Sequence, residues 1–129
     1  MISFGYCIVY VEDVCKSLDF FEKPFGLQRR FLHPSESYGE LETGQTVLAF
    51  ARFSMADDHF PDGYVRANGA KPVGMEIALV TTDVHGAHAT ALGFGALEIS
   101  APQQKPWGQL VSYIRAPDGV LIELCSPMT

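Results

Sequence analysis

Cys7-Ile8-Val9-Tyr10-Val11-Glu12-Asp13-Val14 and Ile77-Ala78-Leu79-Val80-Thr81-Thr82-Asp83-Val84 read alike, and their likeness decides the fold. Each is an apolar run that ends in an aspartate with a valine directly after it. The run has the composition of a β-strand. The aspartate is a natural helix N-cap, because its carboxylate accepts backbone N–H bonds in the first turn. Asp13 and Asp83 stand 70 residues apart, so the chain repeats itself once.

The segments after the two aspartates also match. Val14, Leu18, Phe21 and Phe25 fall near a 3.6-residue period that Gly26 ends; Val84, Ala87, His88, Ala91 and Leu92 make the corresponding stripe, stopped by Gly93 and Gly95. Three strand-like segments come after each helix. In the first half they are 27–32, 38–42 and 46–50, with a turn at Thr43-Gly44-Gln45. In the second they are 96–99, 109–115 and 120–125, with Pro117-Asp118-Gly119 between the last two. Asp-Gly between strand-like runs is a strong hairpin signal. The expected fold class is therefore α+β, with two βαβββ modules whose mixed sheets form a cup. Module one is expected over about 1–52 and module two over about 74–129, within a single domain spanning 1–129. The stretch 53–73, with Pro61, Gly63, Gly69 and Pro72, reads as a linker or a flap over a site.

Composition excludes several functions. The chain has 129 residues, 47% hydrophobic and 19% charged, enough for a packed core without disulfide help. No apolar stretch approaches the ~20 residues that span a bilayer, so no membrane partner is expected. The run from Tyr6 to Val11 has no basic leader and is read as a strand rather than a signal peptide or anchor. A net charge of −6, with nine scattered Lys and Arg of which only Arg29 and Arg30 adjoin, offers no basic face for nucleic acid. Cys7, Cys15 and Cys125 are odd in number and lack zinc-type spacing, so they read as free thiols of a cytoplasmic protein.

This arrangement resembles the vicinal-oxygen-chelate superfamily, also called the glyoxalase/bleomycin-resistance/dioxygenase superfamily. The resemblance runs over nearly the whole chain. It rests on Val11-Glu12-Asp13-Val14, on Phe20-Phe21 with Phe25-Gly26-Leu27, and above all on Ala116-Pro117-Asp118-Gly119-Val120-Leu121-Ile122-Glu123-Leu124. Lys105-Pro106-Trp107-Gly108 is similar to the Pro-Trp-Gly of bleomycin-resistance-type members. The resemblance implies four ligand positions for a metal, which here are Tyr6, Ala49, Glu76 and Glu123. Only the two glutamates are good ligands. Zn²⁺, Ni²⁺ and Fe²⁺ want imidazole or thiolate, whereas Mg²⁺ accepts carboxylates and keeps its waters. No tightly held cofactor is expected, and at most a weakly bound divalent metal on Glu76 and Glu123.

Without a metal, two poorly solvated glutamates raise at least one pKa, which suits a general acid/base pair or a site for a cationic ligand. The alternative is structural pairing with Arg29, Arg30 or Arg115. Strand alternation puts Trp107, Gln109, Val111 and Tyr113 on one face, and pairing about Pro117-Asp118-Gly119 sets Tyr113 across from Leu121 and on the face of Glu123. Trp107 is read equally as pocket or as rim packing; Tyr6 is the better pocket residue on the first strand. His85 and His88 are three apart on the second helix and suggest a metal pair, but His88 falls where the helix meets the sheet and reads as structural. Two functions fit these residues. One is a bleomycin-resistance-type binding protein that sequesters a small aromatic or cationic ligand with Tyr6, Glu76, Trp107, Gln109, Tyr113 and Glu123. The other is a glyoxalase-like lyase or isomerase in which Glu76 and Glu123 are catalytic. The resemblance also implies a homodimer.

Overall fold

The structure is a computed structural model and describes residues 1–128. It divides into two compact units, Met1–Ala67 and Asn68–Thr129. The first contains β1 (Tyr6–Val11), α1 (Val14–Glu22), β2 (Gln28–Leu32), β3 (Tyr38–Glu42), β4 (Val47–Arg52) and α2 (Phe53–His59). The second contains β5 (Glu76–Val80), α3 (Val84–Gly93), β6 (Leu97–Gln104), β7 (Leu110–Arg115) and β8 (Leu121–Cys125). Each unit is one four-stranded mixed sheet, ordered β1-β4-β3-β2 and β5-β8-β7-β6. The fold class is α+β, as the repeat predicts.

The aspartates do what their position implies. Asp13 accepts from the Lys16 amide at 3.1 Å, and Asp83 from the Gly86 amide at 2.9 Å. Gly86 leaves room for the second cap, since a Cβ there would overlap the Asp83 carboxylate. Helix α1 buries Val14, Leu18 and Phe21 against the sheet, and the Phe21 ring lies 5.3 Å from that of Phe50. Its close approach depends on Gly39 of β3, where a Cβ would sit 2.7 Å from Leu18 Cδ1. Phe25 lies beyond the helix, yet its ring still reaches Phe20 and Phe21 at 5.6 and 5.9 Å. Helix α3 has small residues and a polar anchor instead. His88 is buried, with Nδ1 2.9 Å from Ser112 Oγ on β7 and Nε2 2.7 Å from Glu98 Oε2 on β6. It is a structural histidine, while His85 is exposed.

In each unit the longer helix covers one face of the sheet; on the opposite face Tyr6 and Ile8 of the first unit and Glu76 and Ala78 of the second are exposed, while Val47, Ala49 and Ala51 are buried. Register fixes which residues share it. Across the first sheet Ile8, Ala49, Glu40 and Phe31 form one row. Across the second the equivalent row is Ala78, Glu123, Tyr113 and Ser100. Both edge strands carry a bulge at the same place, between Arg29 and Phe31 in β2 and between Glu98 and Ser100 in β6.

Three expectations change. The stretch 53–73, read as linker or flap, opens with helix α2, and the boundary between units falls inside it, after Ala67. Residues 53–66 fold onto the first unit: Tyr10 meets the rings of Phe60 and Tyr64 at 5.8 and 6.0 Å, and Arg66 stacks over Phe53 while pairing with Asp57. Strand β6 runs on to Gln104, five residues past its expected end at Ile99, because an edge strand at an irregularity tolerates Pro102. Strand β4 likewise continues to Arg52, two residues beyond 50.

Candidate functional site

The carboxylates Glu76 and Glu123 lie on the open face of the second sheet. Parallel pairing of β5 with β8 sets Ala78 beside Glu123 and puts Glu76 one step along the same face. Antiparallel pairing of β7 with β8 sets Tyr113 on the other side of Glu123, and its hydroxyl donates to Glu123 Oε1 at 2.9 Å. That bond, followed by burial, pushes the Tyr113 hydroxyl up to about 12. The Glu76 carboxyl is raised too, first by burial and then by the charge of Glu123 and a hydrogen bond with it. Cys125 closes the group. Burial, then Glu123, raises its thiol, so it is held as a thiol rather than offered as thiolate.

Among the described residues no ion pair joins an arginine to these carboxylates. Arg29 bonds Asp19 and Glu22, and Arg30 pairs with Glu40. Arg115 donates to the carbonyls of Gly119, Ala70 and Gly69, the last at 2.7 Å, and so straps the chain that leads into β5. Among the described residues, neither Glu76 nor Glu123 forms an ion pair.

Trp107 and Gln109 form a second cluster at the β6–β7 hairpin. Gly108, at φ 96°, makes the turn, and its amide donates to the Lys105 carbonyl. The Trp107 indole N–H donates to Gln109 Oε1 at 3.0 Å, and Gln109 Nε2 donates to the Ser126 carbonyl at 2.8 Å. The indole is therefore oriented from behind while Trp107 as a whole stays 62% exposed. Gln109 and Tyr113 share a face four residues apart, about 13 Å at the usual strand rise. The structure thus brings Glu76, Glu123 and Tyr113 together and brings Trp107 to Gln109. Tyr6 belongs to the first unit, on the open face of β1 opposite Val47.

Sequence reasoning missed Glu40. It sits mid-strand among apolar neighbours, as Glu123 does, and it is 9% exposed. It accepts from the Tyr38 hydroxyl at 2.7 Å and meets Arg30 Nε at 3.3 Å. A carboxylate in the middle of an apolar strand is the signal that could have found it. The four ligand positions point instead to Ala49, which is directly beside Glu40 in the sheet.

The donor set does not fit a resident transition metal. Among the described residues no group of three or more His, Cys, Asp or Glu converges. Ala49 offers nothing, and the second unit supplies two carboxylates beside a protonated thiol, without imidazole.

No helix among the described residues is long and apolar enough to cross a membrane. A comparison with curated proteins finds no match. Solved structures do match. A glyoxalase-related enzyme from Fulvimarina pelagi superposes with a TM-score of 0.82 at 19% identity, covering 98% of this chain and 89% of that one. A glyoxalase/bleomycin resistance protein/dioxygenase family enzyme from Burkholderia phytofirmans PsJN gives 0.82 at 14% identity, covering 97% and 98%. A superfamily member from Sphaerobacter thermophilus DSM 20745 gives 0.71 at 26% identity, covering 98% of both. The sequence profile of the family matches residues 3–124, nearly the full length. With its doubled βαβββ architecture, the chain belongs to the glyoxalase/bleomycin resistance protein/dioxygenase superfamily.

Proposed function

We propose that this protein binds a small organic molecule carrying a cationic or N–H-donating group on the open face of its second unit. Glu123 and Glu76 receive that group, and Tyr113 fixes Glu123 and offers its ring to an aromatic part. The observation that carries the reading is the Tyr113–Glu123–Glu76 set, two adjacent carboxylates that form no ion pair among the described residues. Like charges held together in partial burial favour either a retained proton or an external cation. A family that includes bleomycin resistance proteins is consistent with sequestration.

The test is isothermal titration calorimetry of the whole protein with benzylamine and phenethylamine, and with benzyl alcohol as the uncharged comparison. The amines should saturate the signal, and Glu123→Gln should weaken them tenfold or more. Equal response to benzyl alcohol, or amine binding untouched in Glu123→Gln, sinks the reading.

The raised Glu76 carboxyl also favours a second reading, a lyase or isomerase of glyoxalase type. A carboxylate whose pKa is moved towards neutrality is a better general base for abstracting a proton beside a carbonyl. Solvent-deuterium exchange into an α-hydroxyketone such as hydroxyacetone reads this directly. Exchange catalysed by wild type and abolished by Glu76→Gln supports it; exchange no faster than buffer excludes it for that substrate class.

A further inference from the structure

The turn between β2 and β3, His33-Pro34-Ser35-Glu36-Ser37, carries a chain of hydrogen bonds away from both sheet faces. Ser35 Oγ lies 2.7 Å from His33 Nδ1 and 2.6 Å from Ser37 Oγ. One backbone bond fixes the roles along this chain. The Ser35 amide donates to His33 Nδ1 at 3.1 Å, and an amide can only donate, so Nδ1 is unprotonated and the ring hydrogen sits on Nε2. Nδ1 is then also the acceptor for the Ser35 hydroxyl, the closer of its two donors. With its proton committed to the imidazole, Ser35 Oγ accepts from the Ser37 hydroxyl and from the Ser37 amide, the latter at 3.3 Å.

The backbone holds this chain in place. The Glu36 amide donates to the His33 carbonyl at 2.8 Å, and the His33 amide to the Tyr38 carbonyl at 3.0 Å. Arg52 braces the turn from β4, its amide on the Ser37 carbonyl and its Nη2 on that of Glu36. Glu36 itself sits at φ 59°, the one non-glycine residue at positive φ among the described residues. Side chains adopt that conformation at a cost, and it recurs beside functional groups. Ser35 and His33 are both exposed, so an electrophile reaches the hydroxyl without opening the fold. A serine hydroxyl is a weak nucleophile until a base within hydrogen-bond reach takes its proton, and His33 Nδ1 meets that distance. The amides of Ser35, Glu36 and Ser37 are all spent inside the turn, so they form no oxyanion hole. The arrangement therefore suits a group that is modified once rather than one that turns over.

We propose that Ser35 is a site of covalent modification, a nucleophile that takes an acyl group from an activated ester, with His33 as its base and Ser37 orienting its hydroxyl. In the step, a bond forms between Ser35 Oγ and the acyl carbon, and the bond from that carbon to the leaving oxygen breaks. The Ser35 proton passes to His33 Nδ1 and from there to the departing alkoxide or phenolate, leaving an O-acyl serine and a free alcohol or phenol. No residue of this turn belongs to the carboxylate cluster of the second unit, so the proposal stands or falls independently of the function proposed above.

The test treats the whole protein with p-nitrophenyl acetate and follows the acetyl group on each serine by peptide mass spectrometry over time. Ser3 and Ser54, both exposed, serve as ordinary serines of the same chain. Ser35 should be acetylated about tenfold faster than either, or more. His33→Asn keeps a side-chain oxygen that can accept the Ser35 amide but cannot take up a proton, and it should slow Ser35 about tenfold with the fold intact. Ser37→Ala should slow it several-fold, through loss of the bond that orients the hydroxyl. Thermal unfolding of each variant establishes that it is folded. Ser35 acetylation no faster than that of Ser3 and Ser54, or undiminished in a folded His33→Asn protein, overturns the proposal.

Discussion

Replacing Glu76 by glutamine should stabilise the protein at neutral pH and leave it unchanged in acid. Glu76 and Glu123 lie on adjacent strands of one face, and Glu76 is held above its ordinary value of 4.5 by burial, by the Glu123 charge and by the hydrogen bond between them. A carboxyl group raised in the folded state contributes its stability below the unfolded value, and that contribution is lost as pH rises through the folded one. Wild type should therefore weaken as Glu76 ionises beside Glu123. Glutamine keeps a donor for Glu123 and never ionises. Glu76 is exposed, so solvent screens the repulsion, and the gain at pH 7 should be about 0.5 kcal/mol, the middle of the range for neighbouring cross-strand charges. For a chain of this length that is about 2 °C in Tm. Circular dichroism melts of both proteins from pH 4 to pH 8 provide the measurement, and the quantity of interest is their difference, in which all other carboxylates cancel. A difference that opens above pH 4.5 and favours glutamine is the expected result. A difference independent of pH, or one favouring glutamate at neutrality, would show that the two carboxyl groups are not coupled as described.

Three further outcomes rest on the packing and the hydrogen bonds. Gly39→Ala should cost about 1–3 kcal/mol in urea unfolding, because the new Cβ overlaps Leu18 Cδ1 at 2.7 Å under α1; an unchanged midpoint would mean the helix lifts freely. Ser112→Ala leaves the buried His88 Nδ1 without its partner and should cost about 1–3 kcal/mol, whereas Glu98→Gln, which keeps a hydrogen-bonding group at the exposed end, should cost less. Tyr113 should ionise late in an alkaline absorbance titration, near 12, and Glu123→Gln should bring that transition down towards 10. The sign comes from the same linkage: the Tyr113 contribution to stability is complete below 10 and fades as pH rises through about 12.

The sequence was most readable where a local signal and the repeat agreed. Asp13 and Asp83 mark helix starts by their own chemistry, and their common spacing makes each confirm the other. The Asp-Gly turn before β8 fixes the alternation that puts Tyr113 on the face of Glu123, but the register is shifted by two residues from the expected one: Tyr113 pairs with Glu123 and Arg115 with Leu121. Where signals were weak, the reading stopped short. Helix α2 has no side-chain cap at Arg52 and only seven residues, so nothing local separates it from a loop; its packing comes from Phe53 and Ala56 meeting the rest of the unit. The bulge at Arg30 leaves no trace in composition, yet it decides which of Arg29, Arg30 and Phe31 face α1 and which face outward. Tyr38 and Glu40 became legible as a pair only once β3 was placed between β2 and β4.

The pairing of the first strand of each unit with its last has a consequence during synthesis. Tyr6 meets Val47, and Glu76 meets Leu121, so β1 and β5 leave the ribosome about 40 residues before their hydrogen-bonding partners. At ~5–20 residues per second each strand waits roughly 2–8 s. During that interval β1 presents Tyr6, Ile8 and Tyr10 on one side and Cys7, Val9 and Val11 on the other, an apolar strand with both edges open. Each half is thus most exposed to unwanted pairing just before its own last strand emerges, and the polar Glu12-Asp13 step after β1 is the nearest charge restraining it.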